Sequence, residues 1–134
     1  MSDKATLETV IREIYDARMA GDVDGIMRLM ADDVQFSIAG CGASSSIPCQ
    51  VEGAKAFRDV VQELIATFQF SNRRVLNQMI EGDRAVVHWR AQVKVPKSGA
   101  EAETELVDLL AFEGGKVRSF REFADTALAK RLLA

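Results

Sequence analysis

The chain has 134 residues, a formal net charge of −3, 48% hydrophobic and 28% charged residues, enough for one domain with a buried core. Its lysines and arginines are scattered along the chain, which argues against a nucleic-acid-binding face, since phosphate binding needs concentrated positive charge. No basic-then-apolar leader opens it and no apolar run approaches a membrane span; the expectation is one cytoplasmic domain, without membrane or nucleic-acid partners, over residues 1–134.

Ser2 stands where a first helix would be capped, and Leu7, Val10, Ile11, Ile14 and Tyr15 then recur at three and four residue spacing. Gly21 ends that helix, near residues 3–20, because glycine tolerates the left-handed cap. Asp22 can cap a second helix over 22–31, with Val23, Ile26, Met27 and Met30 on one face. Asp32-Asp33 breaks it, and Val34, Phe36 and Ile38 alternate with Gln35 and Ser37 as a strand. Cys41 and Cys49 bound the small-residue loop CGASSSIPC. Two cysteines without nearby histidines do not make a zinc site, and they read as two free thiols. No metal is expected.

A third helix over 53–68 would bury Phe57, Val60, Val61, Leu64, Ile65 and Phe68. From Asn72 the period becomes two. RRVLNQMIE runs into the hairpin signal GD, then RAVVHWRAQVKV, the turn PKSGAE, ETELVDLLAF, the turn EGGK, and VRSFREFA. Asp125 can cap a short last helix over 126–133. Helices followed by an antiparallel meander make an α+β pattern. A curved sheet wrapped around its helices leaves a cavity at the open end, the default place for a ligand.

Two stretches carry a resemblance. AGDVDGIMRLMADDVQF, Ala20 to Phe36, resembles the second-helix signature of NTF2-like proteins, especially the SnoaL-like branch: a small-Gly-Asp turn, an apolar helix, Ala-x-Asp-x-Val and an aromatic-bearing strand. LVDLLAFEGGKVRSFREFADTALAKRLL resembles the closing hairpin and helix of the same family. The resemblance implies a cone-shaped, cystatin-like α+β fold and covers essentially the whole chain. It is nearly silent on activity, because the superfold hosts polyketide cyclases, ketosteroid isomerases, limonene-epoxide hydrolases and non-catalytic association domains.

By resemblance to the epoxide hydrolases, the face carrying His88, Arg90, Gln92 and Lys94 points into the pocket. Arg90 then matches their arginine and Glu122 one acid; the second acid falls at Gln92, and the water-holding tyrosine and asparagine fall at Phe36 and Ile38. Their mechanism is therefore not expected unchanged. Compared with ketosteroid isomerases, Asp108 lies at the neutral acid, the base falls at Ile38, and the tyrosine falls near Ile14, one residue from Tyr15.

The expected catalytic set is Arg90, Asp108 and Glu122, in a pocket lined by Tyr15, Phe36, Ile38, His88, Gln92, Leu110 and Phe120. Glu122 would be the acid or base, Arg90 its paired orienter, and Asp108 a donor to developing negative charge. His88, the only histidine, titrates nearest neutrality but reads as a structural hydrogen-bonder. The chemistry would be cofactor-free proton transfer on a small apolar, oxygen-bearing molecule, as in an isomerase, cyclase or hydrolase. A non-catalytic ligand-binding or association module is the alternative. With the polar set inward, Val87, Trp89, Ala91, Val93 and Val95 would face outward and form a homodimer interface.

Overall fold

The computed structural model describes residues 3–40 and 47–134. Its elements are α1 (Lys4–Ala20), α2 (Val23–Met27), β1 (Met30–Ala39), β2 (Gln50–Glu52), α3 (Ala54–Thr67), β3 (Gln69–Glu81), β4 (Arg84–Val95), β5 (Ala100–Glu113), β6 (Lys116–Phe123) and α4 (Thr126–Leu133). No helix among the described residues is long and apolar enough to cross a membrane. Cys49 is disulfide-bonded, which corrects the free-thiol expectation; Cys41 lies outside the described residues, as does Ser2.

Local chemistry sets the helix ends. Asp3 caps α1, accepting from the Thr6 amide at 2.8 Å, one residue after the expected cap. Gly21 closes α1 in the left-handed region at φ 72°. Asp22 caps α2 through the Gly25 amide at 2.9 Å, and a Cβ on Gly25 would lie 2.5 Å from the other Asp22 carboxylate oxygen. The helix stops at Met27, four residues short of expectation, and β1 begins at Met30. Asp32 and Asp33 therefore lie inside the strand, where a register shift between Met30 and Gln35 absorbs them. Gly21→Ala is expected to cost about 1 kcal/mol, because an L side chain resists the left-handed conformation; urea unfolding followed by circular dichroism measures it.

The six strands form one sheet in the order β2-β1-β6-β5-β4-β3. Every neighbouring pair is antiparallel except β1 with β6, which is parallel. Sequential hairpins build the antiparallel part, whereas β1 and β6 are joined by most of the chain, long enough for a parallel crossover.

Pairing decides which way each strand faces, because directly opposed residues point to the same side. Val87 opposes Asp108 and Trp89 opposes Leu106. Asp108 opposes Glu122 and Leu110 opposes Phe120; Phe36 and Ile38 oppose Phe120 and Glu122. These residues share the concave face, against which Leu7, Ile11, Ile14 and Tyr15 of α1 and Phe57, Val60 and Val61 of α3 form the core. The expected outward patch is thus reversed. Val87, Trp89, Ala91, Val93 and Val95 are inward and none is more than 4% exposed, so they offer no dimer interface. His88, Arg90, Gln92 and Lys94 face outward instead. Burying five alternating apolar side chains outweighs burying four polar ones, which would need partners for every charge.

Candidate functional site

On α1, Ile14, Tyr15 and Arg18 lie three and four residues apart on the face turned to the sheet. The Tyr15 hydroxyl donates to Asp108 Oδ2 at 2.5 Å, and the Trp89 indole N–H donates to the same oxygen at 2.8 Å. Asp108 is completely buried. Its other oxygen, Oδ1, is also buried and receives no hydrogen bond from any amide, hydroxyl or ring nitrogen. The carboxyl of its cross-strand partner, Glu122, interacts with the Asp108 side chain.

Two carboxyls so placed in apolar surroundings do not both ionise. Burial raises both above the ordinary carboxylate range, and Glu122 rises well above it because the Asp108 charge adds to its desolvation. Hydrogen bonds from Glu122, Tyr15 and Trp89, with the Arg73 charge, draw Asp108 back down. One proton is therefore shared by the pair and rests mainly on Glu122. Tyr15 is held in its neutral form, first by burial and then by the Asp108 charge.

Two arginines attend the pair. The register of β3 against β4 shifts between Ser71 and Arg74, with Asn72 at φ 53°. This bulge brings the Arg73 guanidinium 3.7 Å from the centre of the Tyr15 ring and 5.2 Å from that of Trp89. Arg18 stacks 4.7 Å from the Phe70 ring and donates through Nη2 to the Phe68 carbonyl at 2.7 Å, at the C-terminal end of α3. Burial holds its pKa down to about 10, so it stays charged at neutral pH.

In front of these groups lies a cavity of about 730 Å³, the size of a drug-like ligand. Aromatic rings of Tyr15, Phe36, Phe57, Phe70, Trp89 and Phe120 line it, together with residues of α4. Glu122, half-buried, is part of the wall, while Asp108 sits behind it.

The structure brings together Asp108, Glu122 and Tyr15, with Phe36, Ile38 and Phe120 on the cavity wall. Leu110, 2% exposed, belongs to the core and not to the wall. Arg90, His88 and Gln92 do not reach the cavity. Arg90 Nε lies 3.0 Å from Glu103 Oε1 and pairs there, not with Glu122. His88 sits between Asn77 at 3.0 Å and Glu105 at 3.2 Å. Sequence reasoning missed Arg18, Arg73 and the inward role of Trp89. For Arg18 a signal existed, an arginine continuing the apolar stripe of α1 after Tyr15. Arg73 had none, since the bulge that turns it inward breaks the alternation used to assign faces. Tyr15→Phe is expected to cost about 1–3 kcal/mol, the penalty for removing a donor from a buried carboxylate, and to raise the titration of Asp108. Urea unfolding and carboxyl NMR check the two effects.

A family described as SnoaL-like domain matches residues 11–120 of the chain. A Bacillus subtilis protein provisionally named an isomerase superposes with a TM-score of 0.89 at 13% identity, over 99% of this chain and 96% of that one. An NTF2-like protein of unknown function from Burkholderia pseudomallei gives 0.84 at 22% identity, over 100% and 99%. An LEH-like epoxide hydrolase from M. tuberculosis gives 0.75 at 10% identity, over 96% and 90%. No protein with a curated description matches the chain. At such identities the structural likeness establishes the fold alone.

Proposed function

As the chain belongs to the SnoaL-like family of the NTF2-like superfamily, we propose that it binds a small, largely apolar, oxygen-bearing molecule in the concave cavity and moves a proton on it through Glu122, without a cofactor. The observation that carries this is the proton-sharing Asp108–Glu122 pair, set in the wall of an apolar cavity. Glu122 gives its proton to a ligand oxygen or carbon. Its conjugate base, beside the Asp108 charge, is then a stronger base than an ordinary carboxylate and recovers a proton from a second position. Atoms and charge are conserved over the cycle, which is the outline of an isomerisation or cyclisation. Asp108 is a positioning residue held by Tyr15 and Trp89, and does not itself touch the ligand.

The test is hydrogen exchange at the carbon beside the carbonyl of 2-tetralone, followed by NMR in heavy water. The expected result is catalysed exchange that Glu122→Gln reduces by about a hundredfold. A wild-type rate equal to that of buffer, with the ketone bound, overturns the catalytic reading and leaves a binding module.

For assembly, the outward face of the sheet takes the place of the buried one. Met79 opposes Val86 and Val86 opposes Leu109, with Val107 and Phe123 opposed in the next row. Met79 is 62%, Phe123 41% and Leu109 38% exposed. A second copy of the chain would cover this apolar row isologously. Sedimentation should then show a dimer at micromolar concentration, and Phe123→Asp a monomer; a wild-type monomer refutes the interface.

A further inference from the structure

Arg18 brings a guanidinium to the cavity wall, where Glu122, Asp125 and Lys130 are the other charged residues. Arg18 Nη2 is engaged by main-chain carbonyls, that of Phe68 at 2.7 Å and that of Leu64 at 3.4 Å. Its Nε and Nη1 make no hydrogen bond among the described residues, and no carboxylate there lies within ion-pair distance of it. Yet the guanidinium is part of the wall of an aromatic-lined cavity, with its carbon over the Phe70 ring. Lys130 lies on α4 and Asp125 caps that helix, while Glu122 is the acid whose charge acts on Arg18. Arg73, stacked on Tyr15, is balanced by Asp108 beyond that ring, and Glu122 carries the proton of the carboxyl pair. A guanidinium removed from water is costly unless an anion meets it.

We infer that the natural ligand is a monoanion: an aromatic or polycyclic molecule bearing one carboxylate, with that carboxylate on Arg18 and its ring system among Phe36, Phe57, Phe70 and Phe120. This rests on the proposed use of the cavity as a ligand site and names the class of ligand. The free N–H groups of a guanidinium suit a planar carboxylate, which accepts two of them side by side. The aromatic wall suits the remainder, through ring-on-ring contacts. Arg18 and Glu122 are both part of the cavity wall, so one ligand could meet the two with different atoms: an anion on the arginine, a reacting oxygen or carbon at the acid.

The experiment compares two probes of the same shape by isothermal titration calorimetry, 2-naphthoate and its neutral counterpart 2-acetonaphthone. The expected result is about tenfold tighter binding of the naphthoate, the size of effect a charge-assisted hydrogen-bonded pair gives. Arg18→Met should bring the ratio of the two affinities to about one. Because Arg18 also ties α1 to the end of α3, Arg18→Lys is the second variant. It keeps a charge without the planar fork and should leave a reduced preference. Equal affinities in the wild type, a preference for the ketone, or no binding of the naphthoate overturns the inference and leaves Arg18 as a helix-capping residue. The preference is a binding ratio and the tetralone assay a rate, so either can fail while the other stands.

Discussion

Trp89→Ala is expected to remove about 4 kcal/mol of stability. The indole is 1% exposed at the centre of the concave face. It meets the rings of Tyr15 and Phe70 edge-on, with centroids 5.5 Å and 5.1 Å away. Truncation leaves a cavity that neighbouring strands cannot collapse into, and it strips a donor from the buried Asp108 oxygen. Trp89→Phe keeps most of the ring volume and isolates the second loss, at about 1–2 kcal/mol. The next residue is the control. Arg90 lies outward in an exposed ion pair with Glu103, and Arg90→Ala should change stability by less than about 0.5 kcal/mol. Urea titrations monitored by circular dichroism give all three values. If the arginine substitution proves the costly one, the strand faces the other way.

Stability should fall as pH rises above the ordinary glutamate value of 4.5, and Glu122→Gln should abolish much of that fall. In the unfolded chain Glu122 ionises near its ordinary value of 4.5, whereas in the folded protein burial and the Asp108 charge keep it protonated well above that. Between those two values the folded state binds more protons, so unfolding becomes easier with rising pH. The stabilisation from the bound proton is complete below the unfolded value and is lost as pH climbs to the folded one. At full slope this amounts to about 1.4 kcal/mol per pH unit for one proton. Glutamine mimics the protonated acid in both states and carries no such slope. The variant should therefore match the wild type below the ordinary glutamate value and gain on it progressively as the pH rises above that value. Thermal melts of the two proteins across this range decide it. Parallel curves would show that Glu122 titrates normally.

Periodicity made the elements legible because it is a local property. The stripe of Leu7, Val10, Ile11, Ile14 and Tyr15 defines α1, and the caps Gly21, Asp22 and Asp125 stand where expected. Which side of β4 is inside is a pairwise property, and it was assigned from a resemblance instead of from burial. The apolar set on β4 was itself the better signal: five alternating apolar residues ending beside Pro96 are a core face wherever polar residues alternate with them. With that parity corrected, Asp108 and Glu122 remain in the site because they follow the register of β5 and β6, while Arg90, His88 and Gln92 leave it together. Arg73 stayed invisible, since a single bulged residue at Asn72 reverses the alternation without any mark in composition. The short α2 was obscured in a similar way. Ile26, Met27 and Met30 fit a helical stripe, but a tight turn from Leu29 to the Ile26 carbonyl ends the helix first.

The parallel seam between β1 and β6 has a consequence for how the chain is made. β6 spans Lys116–Phe123 and lies between β1 and β5 in the sheet. On a ribosome β1 waits with one edge unpaired until β6 has emerged, because its neighbour on that edge is the last of the described strands in chain order. The β3–β4–β5 hairpins close locally, but they cannot join β1 without β6. Such long-range closure is slow and leaves a strand edge open to other chains meanwhile. A nascent chain stalled just before residue 116 would hold two incomplete half-sheets and no Glu122, so the carboxyl pair forms only when the sheet itself closes.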